Sequence, residues 1–504
     1  MAEESFSVQP LEATTPLILA IDIGSTGSRG CIYDATGRPV NKHRIKVRHA
    51  FTTAPNGHCT LDPNHTLHEV IDIIDALTSS NIAPHIAGVA MDTFAPTLIG
   101  IDTNNYAITP CLTYADSRAS SQATALRRDL DPHEITQRTG AHLHTAHWAA
   151  TIRWWHDNDP QVAHRVHRWV TLGEYIWLHL LGVTNIATST AAWTGLLNRH
   201  TCQWDAPLLE AAGIVEEHLS AIADPDQPSF PNTSYVPNRW PALAQVPWYP
   251  VIPDGLAANL GADATSTATP LASFATSGAI RVITGNTPTV LPSGLWCYRV
   301  DQQRSILGGA LNDVGRMNTW LENVLRLPDP RACHDILMAD PAAMTPLVLP
   351  FLTGERSTGW AGHARGALRD VSYTDTPAAL YRGCFEGVAL TYARLARQLF
   401  EVVGAPDQLR AAGRVSTSVP ALLQLVADAT GVPVEPVAIK RSTMHGAALY
   451  GLASLAPEVP RCEVFVDTAA KPFVHREQYY ADRMRRFEDL YEATIVRNVG
   501  GVNL

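Results

Sequence analysis

The most informative stretch of this sequence is Leu17-Ile18-Leu19-Ala20-Ile21-Asp22-Ile23-Gly24-Ser25-Thr26-Gly27-Ser28-Arg29. A short run of apolar, β-forming residues ends at Asp22, and a glycine turn follows it. The chain then returns to a strand pattern up to Tyr33, makes a second turn at residues 35–38, and begins a third strand at Pro39. Three short strands joined by glycine-containing turns predict an antiparallel meander.

The first turn, Gly24-Ser25-Thr26-Gly27, has the residues that a phosphate cradle needs. Glycines let backbone N–H groups approach an anion closely, and the hydroxyls of Ser25, Thr26 and Ser28 add donors. Arg29 can offer a charge-assisted fork, and Asp22 would tolerate a nearby phosphate if a cation such as Mg²⁺ lay between them. The alternative is an ordinary β-hairpin with a polar tip. The turn leads into a strand, which disfavours a dinucleotide-binding loop, and no lysine stands in a P-loop context.

A related pattern returns in the second half of the chain. Residues 271–275 read as a strand, Thr276-Ser277-Gly278 as a turn of small residues, and residues 279–284 as a strand with an arginine in its third place. A weak repeat of half the chain predicts an α/β protein of two related domains with a cleft between them. We place these domains at residues 16–262 and 263–504, after a disordered tail at residues 1–15.

Composition excludes several classes of protein. The chain has 504 residues, a net charge of -10 and 46% hydrophobic residues, which argues against general nucleic-acid binding and for a globular fold. Its acidic start is not a signal peptide, and the longest uncharged stretch, residues 175–198, is too polar for a membrane span. The eight cysteines are scattered, as expected for the reducing cytoplasm.

The segment from Leu19 to Arg29 resembles the first phosphate motif of the sugar kinase, heat-shock chaperone and actin superfamily. The length and the later motifs resemble its FGGY carbohydrate kinase branch over nearly all of residues 16–490, with gluconokinase-like members most similar. The segments that carry this likeness are residues 109–118, 349–357 and 362–366. The resemblance implies two ribonuclease H-like (actin-type ATPase) domains, ATP with Mg²⁺ held by Asp22, and the possibility of a homodimer.

The resemblance assigns the general base to Asp254 in Pro253-Asp254-Gly255, beside Arg29 as the second catalytic residue. A sugar kinase needs a carboxylate close to the attacking hydroxyl. An Asp before Gly-Leu-Ala-Ala is also a good helix N-cap, and both roles can hold together.

On the sugar side, the resemblance points to Met91, Asp92 and Thr93 after a buried strand, and to Asp116 in Tyr114-Ala115-Asp116-Ser117-Arg118. An ion pair of Asp116 and Arg118 near a helix start is the alternative. His142, His144 and His147 have no regular metal-ligand spacing, so we retain only His144, as a pocket-lining residue.

On the nucleotide side, the resemblance selects the residues that would contact ATP in addition to the first turn (Gly24, Ser25, Thr26, Gly27, Ser28 and Arg29). These are Thr276, Ser277, Gly278, Gly309, Asn312 and Gly413. The β-carbons of Arg414 and Val415 would crowd a closely bound base. Simple turns and tight helix packing are the alternative for these glycines.

We therefore expect an ATP-dependent, cytoplasmic kinase of a small sugar, sugar acid or polyol, with gluconate ahead of xylulose, ribulose or a polyol. We expect no nucleic-acid or membrane partner. The rival hypothesis is a non-catalytic sensor that binds a nucleotide or a sugar.

Overall fold

The computed structural model describes residues 6–342, 344–439 and 441–497. The first sheet contains β1 (Leu17–Gly24), β2 (Gly27–Tyr33), β3 (Pro39–Val47), β4 (Ile86–Thr93) and β5 (Ile252–Pro253) in the order β5-β4-β1-β2-β3. The second sheet contains β6 (Leu271–Phe274), β7 (Gly278–Thr284), β8 (Trp296–Arg299), β9 (Ser305–Leu311), β10 (Leu409–Ala412) and β11 (Val434–Pro436) in the order β8-β9-β7-β6-β10-β11.

The two sheets repeat one arrangement. In the first, β1 pairs antiparallel with β2 and parallel with β4. In the second, β6 pairs antiparallel with β7 and parallel with β10. The predicted meander and the predicted internal repeat are therefore both confirmed, and the architecture is the two-domain, actin-type ATPase fold.

The longer helices lie between and around the sheets. They are α1 (Pro63–Thr78), α2 (Ser120–Asp129), α3 (Pro132–Thr139), α4 (Trp148–Asn158), α5 (Leu172–Leu181), α6 (Asp254–Gly261), α7 (Gly315–Val324), α8 (Pro330–Met338), α9 (Pro377–Val403), α10 (Ala421–Thr430), α11 (Ser442–Leu455) and α12 (Glu477–Tyr491). Shorter helices span Pro160–Arg165, Thr188–Trp193, Ala206–Ala212, Tyr235–Arg239 and Arg414–Ser418. Within the described ranges, no helix is long and apolar enough to cross a membrane.

The strands of the first sheet bury different residues on their two faces. Leu19 and Ile21 of β1 pack with Val89 and Met91 of β4 in one core, which also contains α1 and α5. The alternate residues, such as Ala20, face a second core that includes residues of α11. Because side chains alternate along a strand, Asp22 belongs to this second face.

Helix α11 crosses from the second half of the chain onto the first sheet. Its Met444 and Ala448 share a core with residues of β1. The division predicted at residues 262 and 263 thus separates the two sheets, but it does not separate every helix.

The N-terminal segment is ordered from Phe6, against the expectation of a disordered tail. Phe6 and Val8 are buried, and the Val8 N–H donates to the Pro39 carbonyl at 3.1 Å. The Phe6 ring lies edge-on to His445, with 5.5 Å between ring centroids. Burial of two apolar side chains explains the order, and residues 1–5 lie outside the described ranges.

Helices α6 and α11 touch backbone to backbone. A β-carbon at Gly446 would lie 1.8 Å from the Ala257 carbonyl oxygen, and one at Gly261 would lie 1.7 Å from the Ser442 carbonyl oxygen. Only glycine permits this crossing, which joins a helix of the first half to a helix of the second.

We expect Gly446→Ala to destabilise the protein by about 3 kcal/mol, because the new methyl group would force the helices apart. In a protein of 504 residues the thermal midpoint should fall by about 3 °C, as measured by differential scanning calorimetry. Gly285→Ala is the control, since a β-carbon there would meet no atom within 4 Å. Equal midpoints for the two variants would contradict the importance of the crossing.

Candidate active site

The first predicted phosphate cradle is the two-residue turn between β1 and β2. Gly24 pairs with Gly27 across the turn, and Ser25 and Thr26 form its partly exposed tip. Gly27 has a φ of 148°, and a β-carbon there would lie 2.3 Å from the Val47 carbonyl oxygen. The turn therefore rests directly on the end of β3, and its tip is left accessible.

Ser28 does not take part in the cradle as predicted. Its side chain is fully buried, and its hydroxyl donates to Oε2 of Glu69 at 2.6 Å. Because side chains of a strand alternate, Ser28 points to the opposite face of β2 from Arg29. The sequence did not indicate Glu69, which lies 41 residues away in α1.

Arg29 and Asp22 lie side by side at the start of the cleft. Nη1 of Arg29 donates to Oδ2 of Asp22 at 2.8 Å, and the hydroxyl of Thr443 in α11 donates to the same oxygen at 3.0 Å. Burial raises the pKa of Asp22, although Arg29 and Thr443 oppose this rise. Asp22 is thus held from both halves of the chain.

Asp92 is next to Asp22 and differs from its predicted role as a sugar contact. It is the register partner of Asp22, is fully buried, and neither of its carboxylate oxygens has a hydrogen-bond partner within the described ranges. Burial raises its pKa strongly, and the charges of Asp22 and Asp254 add to this rise. A sealed carboxyl cannot receive sugar hydroxyls, so we assign it to the charge balance behind the site.

The neighbours of Asp92 do not contact the cleft either. Met91 is 1% exposed and belongs to the core under α1 and α5. Thr93 is buried and, by strand alternation, faces the same side as Met91. The predicted sugar contacts at 91–93 are therefore corrected, because these three side chains lie inside the sheet.

Asp254 lies at the predicted place in the cleft. Strand β5 pairs with β4, with Ile252 opposite Asp92, and α6 begins at Asp254 itself. The N-cap position is Pro253, so the capping alternative does not apply to Asp254. Burial raises the pKa of Asp254 to about 6, while the positive charge of Arg281 lowers it and the charge of Asp22 raises it.

Arg281 of the second half, which the sequence analysis missed, lies beside Asp254, and Arg356 lies near Arg281. A β-carbon at Gly255, the residue after Asp254, would lie 3.5 Å from Nε of Arg281. Arg356 donates from Nε to Oδ1 of Asn312 at 2.6 Å and from Nη2 to the Leu311 carbonyl at 3.1 Å. Burial lowers the pKa of Arg356 to about 10, and repulsion from Arg281 and Arg316 adds to the effect. The repeat pattern, with an arginine in the second or third place of each returning strand, was the available signal for Arg281.

Tyr114 lies close enough to Asp254 and to two members of the arginine cluster (Arg281, Arg316 and Arg356) to feel their charges. Its ring is 41% exposed. Burial is the main cause that raises the pKa of its hydroxyl, Asp254 raises it further, and Arg356 and Arg316 lower it. Tyr114 therefore lies within the field of both the carboxylate and the cations, in the space between the two halves.

Asp116 forms its hydrogen bonds and its ion pair within the first half of the chain. It is buried, accepts from the Cys59 N–H at 2.9 Å, and forms a two-pronged ion pair with Arg118. The guanidinium of Arg118 in turn stacks on Trp154 at 4.4 Å. The ion-pair alternative describes this residue better than the sugar contact, since its oxygens already have protein partners.

His144 remains a candidate for lining the cleft. Its Nδ1 accepts from the Ala146 N–H at 3.1 Å, and burial lowers the pKa of the ring to about 3, so the ring is neutral. Trp360 of the second half lies 6.4 Å from it. The other two histidines bond elsewhere: His142 to the Leu295 carbonyl, and His147 to the His142 carbonyl.

The second predicted cradle is the turn between β6 and β7. Thr276 is exposed and Ser277 is half-buried, while a β-carbon at Gly278 would lie 2.3 Å from the Tyr392 hydroxyl oxygen. Gly309 differs from its predicted role as an ATP contact. It is buried in β9, where a β-carbon would lie 2.2 Å from Leu395. Asn312 is half-buried, accepts from Arg356, and donates to the Gly354 carbonyl at 2.8 Å.

The predicted adenosine segment begins a short helix. Gly413 has a φ of 117°, and a β-carbon there would lie 2.4 Å from the Phe274 carbonyl oxygen. Val415 is buried in the core of the second half and Arg414 is exposed. The expected crowding by Val415 is therefore wrong, because its side chain points into the core.

The donor set fits a magnesium ion bound mainly through water and phosphate. Asp22 and Asp254 supply hard oxygen atoms at the cleft, and the sealed carboxyl of Asp92 lies behind them. No group of three or more metal-ligating side chains within the described ranges could enclose an ion. Within the described ranges, protein side chains alone therefore do not surround the ion. This is usual for Mg²⁺ sites in which water and nucleotide phosphates supply the remaining ligands.

Comparisons with known proteins agree with this geometry. Residues 17–261 match the N-terminal domain of the FGGY family of carbohydrate kinases, and residues 271–455 match its C-terminal domain. The chain is 26% identical to a gluconokinase of Bacillus subtilis over 461 residues, which are 87% of each protein. It is also 26% identical to a glycerol kinase of Koribacter versatilis over 458 residues, covering 87% of this chain and 90% of the relative.

A solved structure supports the same relationship. The crystal structure of gluconate kinase from Lactobacillus acidophilus superposes with a TM-score of 0.87 at 25% identity. The match covers 95% of this chain and 98% of that one, so both domains and the cleft between them are shared.

We expect Asp254→Asn to reduce the rate of phosphoryl transfer about 1000-fold, because the amide cannot accept the proton of the attacking hydroxyl. In the unaltered protein, kcat/KM should fall as the pH drops below about 6, where Asp254 becomes protonated. A coupled assay of ADP release measures both effects. The exposed Asp226 gives the control Asp226→Asn, and a matching loss in that variant would contradict the assignment.

Proposed function

The chain belongs to the FGGY family of carbohydrate kinases, and from this premise we propose that it transfers phosphate from ATP to a hydroxyl of a sugar acid, with gluconate favoured. Asp254 acts as the general base, and Asp22 holds Mg²⁺ through water. Ser25, Thr26 and Arg29 bind phosphate from the first half, and Thr276, Ser277 and Gly278 bind it from the second.

The observation that carries this choice is the arginine cluster, of which Arg281 lies beside Asp254. A sugar acid brings a carboxylate into the cleft in addition to its hydroxyls, and a buried carboxylate needs a cation with matching donors. The guanidinium of Arg281 donates no hydrogen bond to another described residue, and Nη1 of Arg356 likewise has no protein acceptor within that part of the chain. Among the described residues, Asp254 is the one carboxylate that acts on Arg281, and a neutral polyol would add no second anion for the cluster.

The likeness to gluconokinases supports the same substrate. Both the relative from Bacillus subtilis and the structure from Lactobacillus acidophilus carry that activity in their names. The glycerol kinase relative has similar identity, so sequence similarity does not choose between a sugar acid and a polyol, and the charge of the cleft is the stronger argument.

Asp254 suits the role of base in this pocket. With a pKa of about 6, most of its carboxylate is ionised at neutral pH, but it is more basic than an ordinary aspartate. Such a group accepts a proton efficiently when the hydroxyl oxygen begins to bond to phosphorus. Burial that raises this pKa also excludes water that would otherwise take the phosphate.

Arg29 and the two turns have an electrostatic role. The transferred phosphoryl group carries negative charge on three oxygens, and fixed donors at that place stabilise it. Mg²⁺, when bound, would neutralise part of the phosphate charge. The ion pair of Arg29 with Asp22 keeps the guanidinium at the base of the cradle, where it can reach an incoming oxygen.

We expect ADP release with Mg-ATP to respond to gluconate and not to xylulose, ribulose, glycerol or erythritol, because only gluconate carries a carboxylate for the arginines. Arg281→Gln should raise KM for gluconate at least tenfold, which is the loss expected for one charged hydrogen bond. A coupled spectrophotometric assay over the panel measures this. The exposed Arg326 gives the control Arg326→Gln, which should leave KM unchanged.

Other outcomes would redirect the assignment. A response to xylulose, ribulose or a polyol alone would keep the kinase and replace the substrate. Silence across the panel, together with tight Mg-ATP binding, would favour a nucleotide-binding sensor. If Arg281→Gln phosphorylated gluconate as well as the unaltered protein does, the arginines would not recognise the carboxylate.

A further inference from the structure

A buried histidine and glutamate support the first phosphate turn from behind. His49 follows β3 at the base of the turn, and its side chain is 2% exposed. Its Nδ1 lies 2.8 Å from Oε2 of Glu69, and its Nε2 lies 2.8 Å from the carbonyl oxygen of Gly24. The Ser28 hydroxyl donates to the same oxygen of Glu69 at 2.6 Å.

These contacts define the protonation of the ring. A carboxylate and a carbonyl oxygen only accept hydrogen bonds, so both ring nitrogens of His49 must donate. A ring that donates from both nitrogens is an imidazolium, paired here with Glu69, whose pKa is lowered by His49 and by Ser28 against the effect of burial. The pair thus places a cation directly behind the turn.

The bond to Gly24 also fixes the next peptide group. In a trans peptide the carbonyl and the following N–H point in opposite directions. When the Gly24 carbonyl points back to His49, the Ser25 N–H must point away from it, towards the open side of the turn. Within the described ranges, the N–H groups of Ser25 and Thr26 donate to no other protein group.

We propose that His49, held and charged by Glu69, is a positioning residue for nucleotide phosphate: it orients the Gly24-Ser25 peptide so that the Ser25 N–H faces the phosphate, and it adds positive charge behind the cradle. The inference rests on the proposed phosphate role of this turn. The same role accounts for the inward orientation of Ser28. Its hydroxyl donates to Oε2 of Glu69, the oxygen that also bonds to His49.

The charges around the pair favour this role. His65, on the exposed side of α1, has its Nε2 3.3 Å from Oε1 of Glu69, and the Asp22–Arg29 ion pair lies at the other end of the turn. Arg29 and Asp22 nearly cancel each other. His49 and Glu69 also form an ion pair, but the positive end of this pair, Nε2 of His49, is the end that contacts the turn.

The test is the affinity for Mg-ATP, measured by isothermal titration calorimetry without sugar. His49→Ala should raise Kd about tenfold, and His49→Gln should recover part of the affinity, because its amide can still donate to the Gly24 carbonyl. His68→Ala is the matched control, since His68 is exposed and bonds only to Asn64 within α1. In steady-state assays, KM for ATP should rise in His49→Ala while KM for the sugar stays constant.

The outcomes separate this inference from the proposed substrate. A partly unfolded His49→Ala would lower the binding stoichiometry, not Kd, so Kd remains decisive. A Kd within twofold of the unaltered protein, or an equal rise in both KM values, would overturn the inference. If the unaltered protein fails to bind Mg-ATP, both proposals fall, whereas binding without turnover of gluconate would remove only the substrate.

Discussion

The backbone contact between α6 and α11 is the constraint on which the site depends. Gly261 and Gly446 allow the two helices to meet without side chains between them. Asp254 is the first residue of α6, and Thr443, in the first turn of α11, bonds to Asp22. The crossing therefore brings Asp254 and a contact from the second half to the same end of the first sheet.

Charge balance is the second constraint. Three carboxylates, Asp22, Asp92 and Asp254, stand at the ends of three adjacent strands, where burial raises the pKa of each. Arg29 supplies a positive charge from the same sheet, and Arg281 supplies another from the second half of the chain. The cations near these carboxylates thus come from both halves of the chain, and the pKa of Asp254 depends on Arg281 of the second half.

The predictions that held were local ones. A strand ending in Asp22, a glycine turn and a returning strand are visible in consecutive residues, and so is their repetition near Thr276. The position of Asp254 depends on a resemblance, but its neighbours Pro253 and Gly255 also mark the start of a helix. Other predictions failed because the side of the strand or helix on which a residue lies was wrong. The segments were right, but these positions face the interior of the protein: Ser28, Met91, Thr93, Gly309 and Val415.

The sequence by itself determined the two-domain α/β architecture, the two glycine turns and the family, because these depend on short patterns of apolar residues and glycines that fold locally. Only the tertiary structure decided which side chains meet. The contacts of Ser28 with Glu69, of His49 with Gly24 and of Arg281 with the first turn of α6 join residues from 25 to 41 positions apart. The periodic pattern of apolar residues within one strand or helix does not indicate contacts between residues so far apart in sequence. These contacts follow from the packing of helices on a sheet whose side chains alternate between its faces.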